Sequence, residues 1–132
     1  MENKIIRVNS NEIEDANYQN YLKKAYVIKL YGEEIKTFTD YLSKIEELLL
    51  FPDSCEGNVD RYLDWIRDLS WLSYDEYVFI IYDFDESFEE HLHEKNLFLS
   101  LFDNIVLPWW EFDVEKHVVG GKKKKMTLFL IE

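Results

Sequence analysis

Three stretches of the chain are rich in β-branched and aromatic residues, and each has the length of a strand. They are AYVIKLY (25–31), YVFIIYDF (77–84) and MTLFLIE (126–132). The last two are apolar at most positions, which is typical of strands that are buried on both faces of a parallel sheet. The pattern therefore predicts three strands in one parallel sheet.

Between these strands the apolar residues recur with the spacing of helices. Residues 37–52 have apolar side chains at positions 38, 41, 42, 45, 48 and 49, with Thr37 as an N-cap and Pro52 beyond the end. A shorter helix is predicted over residues 58–69, with Asn58 as its N-cap. Its predicted buried stripe is Val59, Tyr62, Leu63, Ile66 and Leu69. Residues 88–106 are also compatible with a helix. This order predicts an α/β fold, in which helices pack on a small sheet of three parallel strands.

The first 24 residues give a weaker signal. A short apolar strip with Ile5, Ile6 and Val8 is followed by a polar stretch. We treat residues 1–24 as an N-terminal extension that either adds a strand and a helix or is loosely held. Residues 25–132 are predicted to form one domain, because a chain of this length can bury a sizeable core.

The charge of the chain narrows the choice of partner. Its 132 residues include 27 acidic and 15 basic side chains, a net charge of −12. Residues 76–120 alone carry eleven acidic and two basic residues. A field of this sign repels phosphate backbones and anionic lipids, so we expect neither a nucleic acid nor a membrane as partner. A basic protein is the expected partner.

Several features indicate a cytoplasmic protein. Cys55 is the single cysteine, so no disulfide can form within the chain. No apolar run approaches the length of a membrane span, and the first residues lack the apolar region of a signal peptide. We expect a monomer, or at most a weak homo-oligomer. The run Lys122 to Lys125 is interpreted as a charged edge that protects the last strand from aggregation.

The outer face of the helix at 58–69 raises a question. Asp60 and Asp64 lie one turn apart, and neither has a basic residue four positions later. Like charges at this spacing destabilise a helix by about a few tenths of a kcal/mol. Either the two carboxylates are solvated and neutralised by Arg61 and Arg67, three positions from Asp64, or they are directed at a positive surface on another molecule.

The motif around these carboxylates resembles one protein family. Gly57-Asn58-x-Asp60-x-x-x-Asp64, together with the order of strands and helices over residues 25–132, resembles the barstar family of intracellular inhibitors of secreted ribonucleases. The resemblance implies a barstar-like fold. It also implies that Asp60 and Asp64 enter the phosphate-binding cleft of a basic ribonuclease or a related toxin, while the loop from Cys55 to Asn58 contacts the same cleft with its backbone.

The resemblance also implies a set of partner-binding residues. Glu111, on the last helix, is the candidate for the family's third acidic contact. The expected set is Cys55, Glu56, Gly57, Asn58, Asp60, Asp64, Trp65, Trp71 and Glu111.

The sequence leaves two other kinds of function to consider. An enzyme is disfavoured, because Asp60 and Asp64 lack a nearby histidine or third acid, and His91 and His93 project from different helix faces. We expect no catalytic residues, no metal and no cofactor. The second alternative keeps the acidic face and changes the target: an interaction or immunity module directed at a basic protein that is not a ribonuclease.

Overall fold

The computed structural model describes residues 2–9 and 24–132, and its sheet has four parallel strands. The strands are β1 (Lys4–Val8), β2 (Tyr26–Tyr31), β3 (Glu76–Tyr82) and β4 (Lys125–Ile131), in the spatial order β1-β4-β3-β2. All neighbouring pairs are parallel. The fold is α/β as predicted, but the prediction of three strands was wrong.

The additional strand comes from the N-terminal extension. β1 pairs with β4 in parallel from Lys4, opposite Thr127, to Val8, opposite Ile131. Val8 is buried, so the short apolar strip adds to the core. The helix that residues 1–24 were predicted to add after this strand falls outside the described residues.

Asn3 attaches β1 to the rest of the domain. Its side chain donates hydrogen bonds to the carbonyls of Leu107 (3.2 Å) and Lys124 (3.0 Å). Its side-chain oxygen accepts a bond of 2.9 Å from the backbone N–H of Met126. One side chain therefore joins the start of β1 to β4 and to the last helical region.

The lysine run does not protect a sheet edge. β4 lies between β1 and β3, so the last strand is internal and that interpretation was wrong. The sequence could not reveal this, because it depends on where β1 pairs. The run leads into an internal strand whose residues from Met126 to Ile131 are buried.

The α-helices of the described residues pack against one face of the sheet. They are α1 (Phe38–Leu48), α2 (Val59–Ile66), α3 (Leu92–Leu101) and α4 (Val114–His117). The prediction of Thr37 as N-cap is confirmed: its side chain accepts from the N–H of Asp40, whose carboxylate accepts from the N–H of Thr37. No helix in the described ranges is long and apolar enough to cross a membrane.

The chain remains helical between α3 and α4. Two π-helical segments, Phe102–Val106 and Trp109–Asp113, lie on either side of Pro108. A proline within a helix removes one N–H donor and crowds the preceding turn, and wider turns are one way to relieve the clash. The helical region therefore extends well beyond residue 106, where the sequence pattern ended it.

Buried side chains lie on both faces of the sheet. The face toward the helices forms the larger cluster, which includes Phe79 and Leu128. The opposite face has a smaller cluster of Val8, Val78, Ile80, Phe129 and Ile131. Burial on both faces explains why β3 and β4 are almost continuously apolar.

Candidate protein-binding site

α2 is fixed to α1 by a buried hydrogen bond. The hydroxyls of Tyr41 on α1 and Tyr62 on α2 are 2.7 Å apart, and both residues are fully buried. Burial raises the pKa of both phenols, so they remain neutral and the bond persists at physiological pH. The outer face of α2 is therefore presented by a rigidly packed helix.

The N-terminus of α2 is capped as predicted. The side-chain oxygen of Asn58 accepts a hydrogen bond of 3.1 Å from the N–H of Arg61, and α2 begins at Val59. Of the predicted buried stripe, Tyr62, Leu63, Ile66 and Leu69 are buried and Val59 is partly buried. Leu69 lies beyond the helix, which ends at Ile66 rather than at residue 69.

A carboxylate from α1 holds the loop that precedes α2. Glu46 accepts hydrogen bonds from the N–H of Cys55 (2.7 Å) and from the hydroxyl of Ser54 (3.1 Å). That hydroxyl in turn accepts a bond of 3.1 Å from the N–H of Glu56. Sequence reasoning missed Glu46, because nothing local distinguishes it from the other acidic residues of α1.

The loop then turns sharply into the helix. Glu56 and Gly57 have φ angles of +50° and +72°, and the N–H of Asn58 donates to the carbonyl of Cys55 at 2.8 Å. A Cβ atom added to Gly57 would meet no atom within 4 Å, so the space beside this backbone is open. The turn therefore has room beside it for another molecule.

The side chain of Cys55 faces the interior and is fully buried. Desolvation, followed by the neighbouring Glu46 carboxylate, raises the pKa of the Cys55 thiol to about 11. A thiol in this state is a poor nucleophile. The backbone of Cys55 is buried as well, so within residues 55–58 the exposed surface begins at Glu56.

The two aspartates of the motif face outward. The side chain of Asp64 is 75% exposed, and its one ion pair in the described part of the chain is with Arg67, at 3.5 Å. Asp60 is also exposed, and no ion pair to it is found among residues 2–9 and 24–132. Arg61 pairs instead with Glu56 at 3.3 Å. An exposed pair such as Asp64–Arg67 stabilises by at most about 1 kcal/mol, so Asp64 remains available to another charge.

A groove of about 310 Å³ separates the loop at residues 53–54 from α2. Its lining includes Asp64 and Trp65 but not Asp60. The lining residues are Asp53, Ser54, Arg61, Asp64, Trp65 and Asp68. Three carboxylates against one guanidinium give this groove, which we call the acidic groove, a negative charge that suits a cationic side chain.

Aromatic residues form a wall next to this groove. The ring centroid of Trp65 lies 5.5 Å from that of Trp71, at an interplanar angle of 85°, and Trp71 lies 6.0 Å from Phe51. The indole N–H of Trp71 donates to the carbonyl of Leu49 at 2.9 Å. Because its N–H is used within the domain, Trp71 can offer a partner only its ring.

The structure gives Glu111 a different neighbour. Glu111 lies in the second π-helical segment, and its carboxylate accepts a hydrogen bond of 2.7 Å from the N–H of Asn3. It does not line the acidic groove. Its contact in the structure is thus with the residue that attaches β1.

The chemical groups at the site are exposed carboxylates and one buried thiol. Within the described ranges, no group of three or more His, Cys, Asp or Glu residues has the arrangement of a metal site. The buried Cys55 thiol is not poised as a nucleophile. What the site offers is exposed negative charge on a rigid helix.

Comparisons with known proteins agree with this architecture. No curated protein and no solved structure gave a significant match to the chain. The family described as Barstar (barnase inhibitor) matches residues 25–130, which include the motif, α1, α2, strands β2 and β3, and β4 except its last residue. The chain therefore belongs to the barstar family.

Proposed function

We propose that this chain is an intracellular inhibitor that binds a basic ribonuclease and covers its active site with α2. The observation that carries the proposal is the outward position of Asp64, 75% exposed at the rim of a groove with two further carboxylates. Membership of the barstar family supports the same conclusion, because that family is described by its inhibition of barnase.

The inhibition requires no chemical step, because the carboxylates compete with the substrate phosphate for the same positive site. A ribonuclease holds the anionic phosphate of its substrate with arginine, lysine and histidine side chains. Carboxylates on a rigid helix occupy those positions in place of the phosphate, and arginine binds them with charge-assisted hydrogen bonds. RNA is then excluded, and the inhibitor performs no reaction.

Preorganisation supports tight binding. The Tyr41–Tyr62 hydrogen bond fixes α2, and Glu46 fixes the loop before it. Little conformational entropy is therefore lost when the partner binds. In this arrangement Asp60 and Asp64 provide the charge, and the backbone of residues 56–58, which follows the buried Cys55, provides a surface beside them.

We assign supporting roles to the remaining predicted residues. Trp65 lines the acidic groove and Trp71 packs behind it, so the two rings form an apolar wall against the stems of a partner's arginine or lysine. Glu111 is proposed as a peripheral acidic contact, with one carboxylate oxygen already bonded to Asn3.

The first experiment measures inhibition directly. The purified chain is mixed with basic secreted ribonucleases, barnase first, and RNA hydrolysis is followed as the inhibitor approaches one equivalent. We expect stoichiometric loss of hydrolysis with at least one of them. Asp64→Ala should weaken binding by more than about 2 kcal/mol, or roughly 30-fold, without lowering the melting temperature.

Asp103→Ala is the matched control. Asp103 is also exposed and helical but lies outside the acidic groove, and its replacement changes the net charge equally. If Asp64→Ala and Asp103→Ala weaken binding to the same small extent, the groove is not the contact. If the chain inhibits no ribonuclease but captures a basic toxin of another kind, the alternative function of an immunity module replaces this proposal.

A further inference from the structure

The run Lys122 to Lys125, whose last residue begins β4, lies outside the acidic groove. Lys123 pairs with Glu115 at 3.6 Å, and Lys125 pairs with Glu76 at 3.9 Å. Lys122 is exposed, and no ion pair to it is found in the part of the chain that the structure describes. The alternate residues of the run, Lys122 and Lys124, line a second groove instead.

This second groove has a volume of about 420 Å³ and the opposite charge. Its charged lining comprises three cations and one carboxylate, in a chain whose net charge is −12. Part of its wall is the ring of Trp110. The charged residues are Arg67, Lys122, Lys124 and Asp68, and we call this the cationic groove.

Two of the three cations are held in position. The ammonium of Lys124 donates to the carbonyl of Tyr74 at 2.7 Å and lies 5.6 Å from the centre of the Trp110 ring. Burial lowers the pKa of Lys124, so the charged form is costly there and an anion in the groove would offset that cost. The guanidinium of Arg67 lies 5.5 Å above the ring of Trp109, and its Nε donates to the carbonyl of Leu63 at 3.0 Å.

The cationic groove adjoins the acidic groove. Asp68 lines both, and Arg67, which lines the cationic groove, pairs with Asp64 in the acidic one. A protein of ordinary size buries about 800 Å² on each partner when it binds. A partner seated over the acidic groove would therefore reach the cationic groove as well.

We propose that the cationic groove receives an aspartate or glutamate side chain of the same basic partner that α2 binds. This inference rests on the proposed function. The carboxylate would lie between Lys122 and Lys124, and the complementary pattern of a negative and a positive groove would fix the orientation of the partner. A basic protein with lysine or arginine at that point would be repelled, so the groove selects among basic partners.

A protein carboxylate fits the groove better than a nucleic acid does. The net charge of −12 repels a polyanion, and the three carboxylates of the acidic groove lie directly beside the site. A single acidic side chain on an otherwise basic protein is instead brought in by the attraction of its surroundings. Its carboxylate then binds through the local excess of positive charge in the cationic groove.

The groove can be tested without the partner. The ¹⁵N-labelled chain is titrated with a single glutamate whose termini are blocked, and in parallel with inorganic phosphate at equal ionic strength. We expect the blocked glutamate to shift the amide signals of residues 121–124 and Asp68. Lys122→Glu should abolish these shifts, whereas Lys123→Glu should retain them, because Lys123 does not line the groove. Shifts spread evenly over all lysines, or shifts with phosphate alone, would overturn the proposal.

The variants Lys122→Glu and Lys123→Glu also test the proposal in the complex with the ribonuclease. Each lowers the net charge by two, so attraction of a basic partner over distance increases equally in both. We expect Lys122→Glu to weaken binding to the inhibited ribonuclease about tenfold, while Lys123→Glu binds at least as tightly as the native chain. Equal or tighter binding by Lys122→Glu overturns the proposal, and the Asp64→Ala result separates that outcome from a failure of the proposed function.

Discussion

The hydrogen bonds of Glu46 predict how strongly the loop before α2 depends on one carboxylate. Replacing Glu46 with alanine removes the acceptor of the Cys55 N–H, at 2.7 Å, and of the Ser54 hydroxyl, at 3.1 Å. Cys55 is fully buried, so its N–H is left without a partner, at a cost of about 1–3 kcal/mol. Ser54 is exposed and water can replace its bond. We therefore expect the free energy of unfolding to fall by about 2 kcal/mol.

Two control variants isolate this effect. Glu46→Gln keeps a side-chain oxygen as acceptor and should lose less than about 1 kcal/mol. Glu47→Ala removes the next carboxylate of the same helix, where the residue is exposed, and should be nearly neutral. Urea denaturation gives the three free energies, and hydrogen exchange at the Cys55 amide reports whether its bond is lost.

The loop also carries the backbone that we place against the ribonuclease. The variant that destabilises the loop should therefore also weaken binding to the ribonuclease. Dissociation of the complex should be faster for Glu46→Ala than for Glu47→Ala, because the loop must then be ordered on binding. If the two alanine variants unfold with the same free energy and the Cys55 amide exchanges at the native rate, Glu46 does not hold the loop and the reasoning fails.

Two further predictions concern solution conditions. Folding raises the pKa of the Cys55 thiol from 9.0 to about 11. The thiol therefore holds its proton more tightly in the folded than in the unfolded chain. The free energy of unfolding should then fall as pH rises from about 9 to about 11. Urea denaturation at several pH values tests this, and a decline equally steep in Cys55→Ala would assign it to other groups, such as Tyr77. The net charge of −12 predicts that association with a basic ribonuclease slows markedly between low and physiological salt while dissociation changes little. Stopped-flow kinetics measures both rates, and an association rate insensitive to salt contradicts steering.

Features that depend on neighbouring residues were predictable from the sequence. Asn58 caps α2 and Thr37 caps α1 because each cap uses atoms only three residues away. β3 and β4 were recognised because burial on both faces leaves almost no polar position in either strand.

Features that depend on distant residues were not predictable. β1 has three apolar side chains, too few to identify a strand, and it is stabilised by pairing with β4 more than a hundred positions later. That pairing also makes β4 an internal strand, so β4 has no free edge for the lysine run to protect. The end of α2 could not be placed either, because Leu69 is buried at a helical spacing although its φ of +53° lies outside the helix.

The sequence placed the two aspartates of the motif on one helical face, but it could not decide whether the arginines nearby would neutralise them. Spacing made Arg61 and Arg67 equivalent, each three positions from Asp64. The fold makes them different, because Arg61 pairs with Glu56, while Arg67 pairs with Asp64 at 3.5 Å and is also held by the carbonyl of Leu63. Asp64 is therefore left with one exposed, weak ion pair rather than two, and this outcome is set by tertiary packing. The same reasoning applies to the cationic groove, where Arg67 meets lysines that lie more than fifty residues later in the chain.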